Sequence, residues 1–213
     1  MSRAPRRDLV VLAADKDMEL TLKGLLPRYQ ALGTRQIDFE IFMHPGHDPG
    51  CRAQGVEFLR NFCNQFEHAI LIFDREGSGR DEQRVEDLET ELEAQLVQNG
   101  WDDRAAAIAL DPELEIWIWS DSIEVDQVMG WAGRDPSLRQ WLADQEYFRP
   151  SHPKPVEPKT AFRAALRHVR KQLSPSLFHR MAQRVSFSNC TDRALLKLKN
   201  RLSSWFPASY PET

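Results

Sequence analysis

Long apolar runs are missing from this chain. Its 213 residues contain no stretch near the roughly 18 apolar residues needed to cross a bilayer. Met1 to Asp8 is basic, but the apolar run behind it, Leu9 to Ala14, is too short for the core of a secretory signal. A soluble, cytoplasmic protein without a membrane partner is therefore expected. Cysteine is scarce. Cys51, Cys63 and Cys190 are odd in number and widely scattered, which argues against a disulfide framework, and there is no Cys-x-x-Cys pair for zinc. Walker loops, Gly-x-Gly-x-x-Gly and Gly-x-Ser-x-Gly are all absent, so the commonest nucleotide-binding and serine-hydrolase signatures are excluded. His44, His47 and Cys51 in HPGHDPGC are zinc-ligand types, but their spacing fits no standard site and reads as a surface loop. His47 and Asp48 in that loop follow a strand and border the same sheet edge as the acids discussed below.

Charge is present in quantity but unevenly placed. The net of -4 conceals a split: residues 1–149 hold 16 Lys/Arg against 29 Asp/Glu, a net of -13, and residues 150–213 hold 12 against 3, a net of +9. Either the two parts attract each other within the molecule, or the basic part is a surface for a polyanion. No run of Lys and Arg is dense enough to decide.

Hydrophobic periodicity supplies the architecture. LVVLA (9–13) is continuous, as in a strand buried on both faces. Asp17 can cap a helix marked by Met18, Leu22, Leu25, Leu26 and Tyr29, with Pro27 ending or kinking it. IDFEIFM (37–43) alternates with period two and predicts a half-exposed strand near a sheet edge. Val56, Leu59, Phe62, Cys63 and Phe66 mark a second helix, Ile70 to Phe73 a third strand, and Val85, Leu88, Leu92 and Leu96 a third helix closed by Asn99-Gly100. The glutamates of RVEDLETELEAQL read as that helix's solvated face. AAAIAL (105–110) is a fourth strand, and PELEIWIW (112–119) reads as a helix with Pro112 in its first turn. This alternation predicts an α/β sandwich around a mainly parallel four-stranded sheet over residues 1–120. Beyond it, helical patterns near 122–129, 136–145, 158–173, 174–184 and 191–204 predict a helical C-terminal region over 121–213. The proline-rich stretch 150–158 (PSHPKPVEP) serves as a linker there and coincides with the charge switch.

Sheets of this kind bind ligands beyond the C-terminal ends of their strands. Three strands deliver acids to that edge: Asp15 and Asp17 after the first, Asp74 and Glu76 after the third, Asp111, Glu113 and Glu115 after the fourth. Strand-end acids also serve as turn formers and helix caps. In AILIFDREGSG (69–79), however, two carboxylates one residue apart close an apolar strand and precede Gly-Ser-Gly. In an extended segment positions i and i+2 point the same way, so Asp74 and Glu76 can reach one hard divalent cation. The glycines let backbone or a phosphate come close. Glu113 and Glu115, two apart on a helix, face different directions, so at most one looks into the site. Glu115, followed by Ile116, Trp117 and Trp119, is the half-buried one with a pKa open to elevation.

An acidic loop after the first strand, then a later apolar strand ending in Asp74-Arg75-Glu76-Gly77, resembles the Toprim fold shared by topoisomerases, bacterial primases and OLD-type nucleases. Pro112-Glu113-Leu114-Glu115-Ile116-Trp117 is similar to the P-x-x-E-x-W segment of small Toprim-like proteins from phage-defence islands, including the RloB-like group. Ser186-Phe187-Ser188-Asn189-Cys190 loosely matches their Ser-Phe patch. Among them the chain looks most like the small Toprim-like component of methylation-associated defence systems. The resemblance implies a Mg²⁺- or Mn²⁺-dependent, nuclease-like component of an antiviral system that works with other defence subunits. In it, Asp74 and Glu76 hold the metal, and Asp15, Asp17 or Glu115 complete the shell or manage the proton. Lys154, Lys159, Arg163, Arg167 and Arg170, the last three at near-helical spacing, would hold the nucleic-acid strand. One departure stands out. The family's first motif carries a glutamate where this chain has Ala13, with Ala14 and Asp17 at the following motif positions. Either Asp15 has taken over, or the nuclease chemistry is lost and the chain is a silent subunit that binds partner proteins or senses nucleic acid.

Overall fold

In the computed structural model, residues 5–120, 122–148, 152, 154–186 and 190–208 are described. Four strands, β1 (Arg7–Ala13), β2 (Phe39–Met43), β3 (Phe66–Asp74) and β4 (Ala105–Leu110), form one all-parallel sheet in the order β2-β1-β3-β4. The two central strands are continuous apolar runs, and the alternating segment supplies the edge strand β2, none of whose residues is fully buried. Between the strands run α1 (Lys16–Leu25), α2 (Tyr29–Leu32), α3 (His47–Arg60) and α4 (Val85–Leu96). After β4 the chain is helical: α5 (Ile123–Met129), α6 (Leu138–Asp144), α7 (Pro158–His168), α8 (Pro175–Arg184) and α9 (Arg193–Trp205). An α/β fold followed by helices is thus what the sequence encodes.

Chain direction across the sheet decides where a site can form. From β1 the chain crosses outward to β2, and from β3 it crosses the other way to β4. Right-handed crossovers put α1 on one face and α3 and α4 on the other, and α3 does meet α4 while α1 meets α8. The C-terminal ends of β1 and β3 therefore flank a switch point, where α/β sheets leave a crevice. Ala13 pairs with Ile72, and Asp74 with Leu110, so the acids following β1, β3 and β4 emerge at one level.

Several local expectations are corrected. Asp15, not Asp17, caps α1, its carboxylate accepting the Met18 amide at 2.9 Å. HPGHDPG is a loop only as far as Gly46. α3 starts at His47, with Pro49 in the first turn where no amide bond is required. PELEIWIW makes a single 3₁₀ turn, Leu114–Trp117, and Glu113 stays extended before it. Residues of both chain regions share one buried apolar cluster, from Val11 and Ile72 to Phe178 and Leu198. α8 lies so close on α1 that a Cβ at Gly24 would sit 2.6 Å from the His179 carbonyl oxygen.

The outer edge of β4 is closed by side chains. The amides of Ala107 and Ala109 donate to Glu93 Oε1 (3.2 Å) and Glu89 Oε1 (2.8 Å), and Arg193 Nη2 donates to the Ala109 carbonyl at 2.8 Å. Arg193 and Lys197 of α9 then pair with Glu89 Oε2 at 2.7 and 2.9 Å. The α4 glutamates read as a solvated face are, at Glu89 and Glu93, the cover of an open sheet edge. Here the opposed charges of the two chain regions meet inside the molecule. Glu89 is 3 % exposed, so Glu89→Ala leaves the Ala109 amide without its acceptor and takes from Arg193 and Lys197 the carboxylate they share, Lys197 keeping only Glu93. It should cost about 3–5 kcal/mol in chemical denaturation, and Glu89→Gln, which keeps an acceptor for Ala109, should cost less.

Candidate functional site

Three carboxylates meet beyond the C-terminal ends of β3 and β4. Asp74, Glu113 and Glu115 are all buried, and one oxygen from each lies within 4.8 Å of the others. Among the described residues no other group of three His, Cys, Asp or Glu side chains comes together this way. Two oxygens on one divalent ion are separated by at most twice the metal–oxygen distance, about 4–5 Å. The trio can therefore hold a metal ion. Asp74, only 7 % exposed, has an Oδ1 with no hydrogen-bond partner. A buried carboxylate oxygen left without a donor is costly, and a cation would satisfy it.

Each acid is delivered by a different local device. β3 ends at Asp74, whose amide donates to Asp48 Oδ1 at 2.8 Å, tying the start of α3 to the strand end. Glu113 is extended (φ -159°, ψ 170°) and Glu115 lies in the following 3₁₀ turn, so the helical argument that separated them does not apply. Both face the cluster. Glu76 does not. Past Asp74 the backbone turns, with the Ser78 amide on the Arg75 carbonyl at 3.1 Å, and the same-side rule lapses with the extended conformation. Glu76 is exposed. The turn bearing Gly77 and Gly79, both at positive φ, is pinned where Arg52 Nε donates to the Ser78 carbonyl at 2.7 Å. Asp111 pairs with Arg75 at 2.8 Å.

The start of α7 closes the other side. The Lys159 amide donates to Glu113 Oε1 at 3.0 Å and its ammonium to Glu113 Oε2 at 2.9 Å, so Glu113 caps the helix N-terminus. Trp119 Nε1 on the Pro158 carbonyl (3.0 Å) and Lys154 Nζ on the Ile116 carbonyl (2.9 Å) lash this segment to the 3₁₀ turn. Lys154 and Lys159, predicted to hold nucleic acid, are thus bonded within the protein, the Lys159 side chain staying 39 % exposed. Arg163, Arg167 and Arg170 are exposed. Of the Ser186–Cys190 patch, residues 187–189 lie outside the described residues, as do 150, 151 and 153 of the proline-rich stretch. His44 Nδ1 accepts the Gly46 amide at 3.0 Å, and Cys51 is fully buried with its thiol pushed up by burial and by Asp48 and Asp15. Neither joins a metal-ligand group with His47.

Crowded negative charge in a dry setting raises proton affinity. Burial, then the charges of Asp48 and Glu115, hold Asp74 well above the usual carboxylate range, against the pull of Lys159. Burial pushes Glu115 up to about 7, with Lys159 opposing and Glu113 assisting. Asp17 rises to about 6 through burial and the neighbouring Asp15, moderated by Lys159 and Arg163. Asp48 is raised mainly by burial. Asp15 therefore does two things: it caps α1, and it adds its charge to Asp17, Asp48 and Asp74. Glu113, Asp48 and Lys159 are the participants that sequence periodicity did not assign to this cluster. Asp48 and Glu113 each had a local signal, a position shortly after a strand, and Lys159 had none.

No family model, no curated protein and no solved structure matches this chain.

Raised carboxylate pKa values make stability fall as pH rises. The folded protein binds protons that the unfolded chain has released, so the stabilisation is complete below the unfolded values near 4 and disappears as pH passes through about 6 for Asp17 and about 7 for Glu115. In a chelator-containing buffer, denaturation should show stability falling between about pH 5 and pH 8, above the range in which the ion-paired carboxylates Asp8, Glu19 and Asp38, held low by their cations, would lose theirs. Glu115→Gln should flatten that slope by on the order of 1–3 kcal/mol across the interval.

Proposed function

We propose that this chain is a divalent-metal-dependent phosphodiester hydrolase that processes nucleic acid. The observation that carries the reading is the unpartnered, buried Asp74 Oδ1 beside Glu113 and Glu115 at a sheet switch point. An all-carboxylate donor set suits a hard cation, Mg²⁺ or Mn²⁺, rather than a thiophilic or imidazole-seeking one. Bound there, such an ion would polarise a phosphoryl oxygen and lower the pKa of a coordinated water. The chain's own residues do the rest. Asp74, Glu113 and Glu115 hold the ion. Asp17, raised to about 6, is poised to accept or return a proton near neutral pH. Arg163 and Arg167, one turn apart on α7, and Arg170, just past its end, present exposed cations for the phosphate backbone. The Toprim-like kinship, the antiviral-defence setting and the partner subunits rest on the motif resemblance.

Ala13 favours a second reading. It is fully buried at the end of β1 and has no group to ligate or carry a proton, so a silent subunit that binds partners or senses nucleic acid would keep this fold without the chemistry. Cleavage assays on single- and double-stranded DNA and RNA with Mg²⁺ or Mn²⁺ separate the two. The hydrolase reading expects metal-dependent cleavage, reduced at least about 100-fold by Asp74→Ala. Intact metal binding without cleavage by the wild type, even beside its partner subunits, would leave the silent reading.

A further inference from the structure

Both oxygens of Glu113 are engaged within the protein itself. Oε1 takes the Lys159 amide at 3.0 Å and Oε2 takes the Lys159 ammonium at 2.9 Å. Asp74, in the same cluster, keeps an oxygen with no donor. A lysine ammonium thus already sits among carboxylates grouped closely enough for an ion. A divalent cation on Glu113 Oε2 would lie about 2 Å from an oxygen that the ammonium holds at 2.9 Å, so the two positive centres would stand no more than about 5 Å apart and repel in a poorly solvated site. The two therefore compete for it. The Lys159 side chain is 39 % exposed while that of Glu113 is 8 % exposed, so the ammonium has an open way out. The amide contact to Oε1 does not depend on where the side chain goes.

Resting on the reading of this cluster as a cation site, we propose that Lys159 is a built-in place-holder. Its ammonium occupies the cluster in the metal-free protein and leaves Glu113 when a divalent ion binds, while its backbone amide keeps Glu113 aimed. Two consequences follow from the charges alone. The fold is never left with the full negative charge of the cluster unopposed, so it is stable before metal arrives. A monovalent ion gains nothing over a tethered ammonium of equal charge, so the site discriminates in favour of divalent ions. The released ammonium joins Arg163 and Arg167 on α7, so metal loading adds a cation to the surface that would meet a polyanion.

Lys159→Met removes the charge and keeps the amide. In calorimetric titrations with Mn²⁺ alone, the variant should bind at least about tenfold more tightly than the wild type, because no ammonium competes. Its metal-free form should melt lower, and Mn²⁺ should raise its Tm by more than it raises the wild type's. Equal or weaker Mn²⁺ binding by the variant overturns the place-holder and leaves the metal site standing. Failure of both proteins to bind Mn²⁺ removes the cation site itself, and this role with it. If the variant does not fold, the wild type supplies the test. An amine-reactive label, located by mass spectrometry, should modify Lys159 several-fold faster with saturating Mn²⁺ than without it. Unchanged or slower labelling while Mn²⁺ binds overturns the proposal.

Discussion

Glu113 meets Lys159 46 residues further along the chain, and Glu89 meets Arg193 104 residues on. Both glutamates are buried, and a buried carboxylate without a counter-charge is among the most expensive features a fold can carry. The acidic first part of the chain therefore depends on its basic last part. α7 brings a cation to the switch point between β1 and β3, and α9 brings two to the open edge of β4. Remove the C-terminal helices and two groups of acids, one at the candidate site and one at the sheet edge, lose their partners together.

This constraint bears on how the two regions of the chain relate. The helices after β4 are not an appendage to a finished sheet. α8 packs against α1 closely enough to require Gly24, and the apolar cluster is continuous across both regions. The indole of Trp117 reaches Asp192, the N-cap of α9, at 2.8 Å, while that of Trp119 reaches the start of α7. The short turn that carries Glu115 is thus held from two helices at once. A carboxylate positioned this way needs no long helix of its own to be rigid, which is why a single 3₁₀ turn suffices.

The sheet was legible in the sequence because its strands are short apolar runs of distinct character. LVVLA and AILIF are continuous and central, and DFEIFM alternates and lies at the edge. The C-terminal helices were legible from their 3.6-residue spacing. The site was legible only as far as local geometry reaches. Asp74 followed from its place at a strand end. Glu76 was selected by a rule that holds only while the backbone stays extended, and the chain turns one residue too soon. Glu113 was discounted by assuming a helix that starts later than Pro112 suggests. Lys159 was assigned to a nucleic-acid strand and not to this cluster, because nothing within a few residues of either partner signals a pairing across 46 positions.

The position of Glu113 has a further implication for how this site could have arisen. One carboxylate closes the N-terminus of α7, binds the Lys159 ammonium and completes the acidic trio. A residue with a capping role alone could be Ser, Thr or Asn at no great loss. A residue with a metal role alone would have no reason to be locked to a helix dipole. Glutamate satisfies both because its two oxygens can be divided: one to a backbone amide that fixes its aim, the other to whichever cation is present. Ala13, at the end of β1, carries no charge. The negative charge at that end comes from Asp15, which is committed to capping α1, and from Asp48, which is committed to the Asp74 amide. Asp17, whose proton affinity burial and the charge of Asp15 raise to about 6, is left outside the trio and free to exchange a proton.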